Sequence, residues 1–99
     1  MENEKTLIKE LSEELNIPYI NTNIGYEITS NDSDDFQKAV KFANKFVGKS
    51  LEDSIVSPFI KANGDLDYME VVFPFTESNN SLRLKSFMDT NKVIIQVSK

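Results

Sequence analysis

The chain has no cysteine, no histidine and no tryptophan, and only three glycines and three prolines among its 99 residues. Without cysteine there are no disulfides, no thiolate nucleophile and no Cys-type zinc or iron–sulfur site. Without histidine the chain lacks the side chain that most often serves as general base near neutral pH, and the commonest transition-metal ligand. The three glycines, Gly25, Gly48 and Gly64, stand too far apart to write a P-loop or a Gly-x-Gly-x-x-Gly turn. Serine and threonine are plentiful, yet no Ser-x-x-Lys or Gly-x-Ser-x-Gly motif places one beside an activating group. Carboxylate pairs of the glycosidase kind remain, but a domain this small leaves little room for a substrate cleft. The expectation is a protein that is not an enzyme, with no cofactor and no metal.

No apolar run approaches the length of about 20 residues that spans a membrane. The segment Met1-Glu2-Asn3-Glu4-Lys5 has neither the basic nor the apolar region of a signal peptide. The expected location is the cytoplasm, where the sequons Asn31-Asp32-Ser33 and Asn79-Asn80-Ser81 carry no meaning. A formal charge of −5 and a pI near 4.6 argue against generic nucleic-acid binding, which rests on Lys and Arg neutralising phosphates. The abundance of Asn, Ile and Lys suggests an AT-rich genome.

What is present is one core's worth of apolar side chains, 39% of the chain with Phe supplying most of the aromatics, so residues 1–99 are expected to form a single domain. Leu7, Ile8, Leu11 and Leu15 fall on one arc of a helix over 3–16, which Pro18 stops. The alternation Ile20-x-Thr22-x-Ile24-x-Tyr26-x-Ile28 predicts a strand, or two short ones if Asn21-Thr22-Asn23 turns, with Gly25 marking a bulge. Phe36, Ala39, Val40, Ala43, Phe46 and Val47 give the apolar face of a helix over 33–47, capped by Asp32 or Ser33 and ended by Gly48. Ser50-Leu51-Glu52-Asp53 resembles a capping box, but Ile55–Ile60 reads as an edge strand because Pro58 cannot donate to a ladder. Asn63-Gly64 suits a type I′ hairpin turn. Three further runs follow: Asp65–Phe75 with Met69, Val71, Phe73 and Phe75 on one face, then Leu82–Phe87, then Val93–Val97. The reading is an α+β fold, α-β-α followed by an antiparallel β-meander, with two helices on one face of a four- to five-stranded sheet.

Four constellations are candidates for function. Asn63-x-Asp65-x-Asp67 has the spacing of the first calcium-loop ligands, but Tyr68 and Pro74 stand where an EF-hand needs Gly and Glu, so a polar turn explains it better. Glu10, Glu13 and Glu14 give the first helix an acidic face which, if Asp65, Asp67 and Glu70 lie beside it, forms a patch able to steer a basic protein partner. Tyr68, Val72, Phe87 and Ile94 occupy the strand positions opposite the core. With only two helices to cover the sheet they form an exposed apolar face, for a partner protein or for the chain's own homodimer. Lys38, Lys41, Lys45 and Lys49 form a basic stripe, the ordinary polar side of an amphipathic helix or, with Arg83 and Lys85, a nucleic-acid contact. The preferred expectation is a non-enzymatic protein-binding module, a small acidic inhibitor or immunity-type protein of a low-GC bacterium or its phage. Homodimerisation and nucleic-acid binding are the alternatives.

Overall fold

The structure, a computed structural model, describes residues 2–98, and of Glu2 the backbone alone. Helix α1 (Glu2–Leu15) and the strands β1 (Ile20–Asn21) and β2 (Gly25–Ser30) precede helix α2 (Asp34–Asn44). Strands β3 (Ile55–Ile60), β4 (Leu66–Pro74), β5 (Ser81–Phe87) and β6 (Val93–Ser98) follow. All six strands join one antiparallel sheet in the order β1-β2-β6-β5-β4-β3. The α+β class and the meander are as expected; the strand count is higher because Thr22–Ile24 turns the chain between β1 and β2.

Both helices lie on the same face of the sheet. Their apolar sides meet the alternating inward residues Ile28, Val71, Phe73, Leu82, Leu84, Val93, Ile95 and Val97 in one buried cluster. α1 packs on α2, β2 and β6, and α2 packs on β5. Of the alternation in 20–28, only Tyr26 and Ile28 reach the core. Ile20 and Ile24 stay exposed, because β1 is an edge strand and Ile24 stands in the turn.

Local chemistry sets the element boundaries. Asn16, at φ +57°, ends α1 in the left-handed conformation, with Asn16 N–H donating to Glu13 O and Ile17 N–H to Ser12 O. This is the Schellman arrangement that satisfies the last carbonyls of a helix. Asp32 caps the start of α2 by accepting from Asp34 N–H at 2.9 Å. α2 is shorter than its apolar pattern, because Phe46 and Val47 pack on the core from a turn: Phe46 O accepts from Lys49 N–H and Leu51 N–H. Gly48, at φ +83°, lies inside that turn and does not end the helix. The β3–β4 connection also departs from expectation. Gly64 N–H donates to Lys61 O and Lys61 N–H to Asp65 O, and Gly64 has φ +93° whereas Asn63 has no positive φ. The loop is therefore a three-residue type with its left-handed residue at Gly64, not type I′.

Glu4 is only 1% exposed, on the core-facing side of α1. Its carboxylate accepts from the Ser78 hydroxyl at 2.9 Å and the Asn80 amide at 2.7 Å, fastening the β4–β5 loop to the first turn of the helix. Glu4→Ala leaves both donors without this acceptor and is expected to cost about 1–3 kcal/mol. Glu4→Gln, which keeps one acceptor oxygen, is expected to cost less; urea unfolding of the two variants checks the order.

Candidate interaction surface

The sheet face away from the helices carries the odd partners of each core position. Cross-strand pairing sets them in rows: Glu27, Gln96, Arg83, Val72 and Ile55 in one, and Thr29, Ile94, Lys85, Glu70 and Ser57 in the next. Beyond these, Phe87, Tyr68 and Phe59 stand side by side on β5, β4 and β3. Their rings form a ladder, with centroids 4.5 Å apart for Phe59 and Tyr68 and 4.9 Å for Tyr68 and Phe87. The expected apolar set Tyr68, Val72, Phe87 and Ile94 is thus brought onto one face, each half-buried by its neighbours. Phe59, the third ring, and Ile55 belong to it as well.

Polar groups occupy the middle of this face. Arg83 Nη1 approaches both oxygens of the buried Glu70 carboxylate at 3.5 and 3.4 Å. Lys85 Nζ lies 5.7 Å from the centre of the Tyr68 ring, a cation–π contact. Gln96 donates to Glu27 at 3.1 Å. Glu27, Glu70, Arg83, Lys85 and Gln96 line, with Thr22 and Ile24, a concavity of about 330 Å³ above β2, β6 and β5.

Strand β3 is a sheet edge, and among the described residues neither helix packs closely on it. Ile55 and Phe59 are exposed on the helix-free side, and Val56 and Ile60 on the other; Ile55 is 60% exposed and Ile60 57%. The strand is uncharged from end to end. Pro58 withholds one N–H from its backbone, as edge-strand prolines do. At the hairpin end Lys61 bonds to Asp89, and that hydrogen bond raises the Lys61 ammonium above its ordinary pKa.

The remaining candidates are separated. Glu10, Glu13 and Glu14 project from α1 into solvent, whereas Glu70 lies on the opposite face of the sheet, tied to Arg83. Asp65 closes the β3–β4 loop and Asp67 follows it on β4, two strands beyond β6. Glu70 therefore does not join the acidic face of α1. Asn63 uses its side chain to accept from Asp65 N–H, the local turn bond of a polar loop. Lys38 and Lys41 are exposed along α2 and Lys45 just past its end, with Lys38 3.9 Å from Asp35 and Lys45 over the Phe42 ring; Lys49 follows in the turn. Since α2 covers the core side of β5, Arg83 and Lys85 point to the other face and do not extend that stripe.

Among the described residues no helix is long and apolar enough to cross a membrane. No family model matches the chain, and comparison with curated proteins and with solved structures finds no significant match.

Proposed function

We propose that this chain is a non-enzymatic protein-binding module that acts by occupying a partner's surface, in the manner of a small acidic inhibitor or immunity-type protein of a low-GC bacterium or its phage. The observation that carries the reading is β3, an uncharged strand whose large apolar side chains stand in solvent on both sides of the sheet. Isolated exposed apolar residues are ordinary; a continuous strand of them, beside the ladder of Phe59, Tyr68 and Phe87, is the kind of patch that marks a protein interface. Its partner contact is side-chain led, because Pro58 interrupts the edge for backbone pairing. The carboxylates of the concavity engage neighbours, Glu70 with Arg83 and Glu27 with Gln96, which supports binding over acid–base chemistry. Composition favours the cytoplasm as the module's location.

Ile55→Asp and Ile60→Asp test this reading. Both side chains are mostly solvated, so stability is expected to change by less than about 0.5 kcal/mol. Affinity for the partner is expected to fall at least tenfold, roughly 1.4 kcal/mol, in calorimetric titration. Unchanged affinity in both folded variants would remove β3 from the interface.

A further inference from the structure

The helix-free face has a charge pattern that fits a second copy of itself. Arg83 and Glu70 neutralise each other, and among the described residues Lys85 has no carboxylate partner and Glu27 no cationic one. The four charges of the face cancel, on a chain whose formal net charge is −5. Two copies therefore meet least repulsion when these faces oppose each other, with the acidic helix α1 pointing away.

The strand order supplies the geometry. β6 lies between β2, which carries Glu27, and β5, which carries Arg83 and Lys85. A two-fold axis running along β6 sets β2 of one copy over β5 of the other. Glu27 and Arg83 occupy one cross-strand row, each level with Gln96, so Glu27 of the second copy arrives above Arg83, one row from Lys85. Both salt contacts form twice, as an isologous interface requires. Ile94 and Gln96, on the axis, meet their own counterparts. The concavity over β2 and β6 receives the long Arg83 and Lys85 side chains of the second copy. We propose that the chain forms a homodimer in which the two helix-free sheet faces pack as an aligned sandwich about a two-fold along β6, joined by reciprocal contacts from Glu27 to Arg83 and Lys85.

The sheet extends two strands to one side of β6 and three to the other. In the sandwich, β4 lies over β1 of the second copy and β3 overhangs with nothing above it. The dimer therefore leaves β3, with Ile55, Phe59 and Ile60, free for the partner, while Tyr68 and Phe87 stand on strands that the second copy covers; β3 is where the two proposals are told apart.

Sedimentation equilibrium of the intact chain at about 100 μM, where a dimer of micromolar Kd is nearly complete, is expected to give twice the 11.3 kDa chain mass. Glu27→Lys is expected to weaken the dimer at least tenfold, and adding Lys85→Glu to that variant to restore it. If Glu27→Lys fails to fold by circular dichroism, Gln96→Glu, which sets like charges together on the axis, is expected to dissociate the dimer. A wild-type mass of one chain overturns the proposal. So does a dimer indifferent to both Glu27→Lys and Gln96→Glu, or one broken by Ile60→Asp, which would put the second copy on β3.

Discussion

Phe73→Ala is expected to remove about 3–5 kcal/mol of stability, the usual cost of truncating a fully buried phenylalanine. Phe73 has no exposed surface and is the largest fully buried side chain of the described residues. It sits on β4 between Val71 and Phe75 on the core side, and deleting its ring leaves a cavity that the sheet and helices cannot both close over. Since small domains are stable by only about 5–15 kcal/mol, the loss is a large share of the total. Phe59, on the adjacent strand, is the control. It is 39% exposed and its ring contact is the stack on Tyr68, so Phe59→Ala is expected to cost about 1 kcal/mol. Equal losses for the two variants in urea titration would show that β3 is packed as tightly as β4, contrary to its exposure at the sheet edge.

Gly25→Ala is the second large effect, expected at about 3 kcal/mol. A Cβ at Gly25 would lie 1.8 Å from the carbonyl oxygen of Val97 and 2.9 Å from the Cα of Ser98. These are backbone atoms of β6, the strand that pairs with β2, so no side-chain rotation relieves the clash. The start of β2 has to move away from β6, giving up the pairing of Gly25 with Ser98 and loosening that of Tyr26 with Val97. Loss of amide protection at Tyr26 and Ser98 in hydrogen exchange is the local signature. Gly64 separates crowding from backbone conformation. It has open space around a Cβ but φ +93°, so Gly64→Ala is expected to cost about 1–2 kcal/mol and to leave the β2–β6 amides protected. If Gly25→Ala matched wild type in both readouts, the close approach of the two strands would be wrong.

The sequence carries the core faces clearly, because period-two and helical alternation mark them residue by residue. Val71 and Phe73, Leu82 and Leu84, and Val93, Ile95 and Val97 are all buried as their spacing implies. What alternation does not carry is the reach of the helices across the sheet. α1 and α2 cover β2, β6 and β5, and that limit leaves both sides of β3 in solvent. For this reason the sequence pattern does not mark Ile55 and Phe59 as surface residues, while exclusion from the core does mark Tyr68, Val72, Phe87 and Ile94. Gly25 reads as a bulge from its place in an alternating run, since sequence does not show a neighbouring strand's carbonyl. Glu4 leaves a signal: it stands four residues before Ile8 and seven before Leu11, on the apolar arc of α1, where a carboxylate needs partners. Asp65, Asp67 and Glu70 show the opposite limit, since residues close in sequence part company at a bulge beside Asp67 and at the pleat.

The central claim, that β3 and the rings beside it meet the partner, is tested most directly by site-specific photocrosslinking. A photoreactive phenylalanine analogue is placed at Phe59, at Glu13 on α1 or at Lys41 on α2, in cells that make the protein. The predicted result is a discrete adduct to one foreign protein from position 59 and none from positions 13 or 41. An adduct from position 13 or 41, with position 59 silent, would contradict the claim.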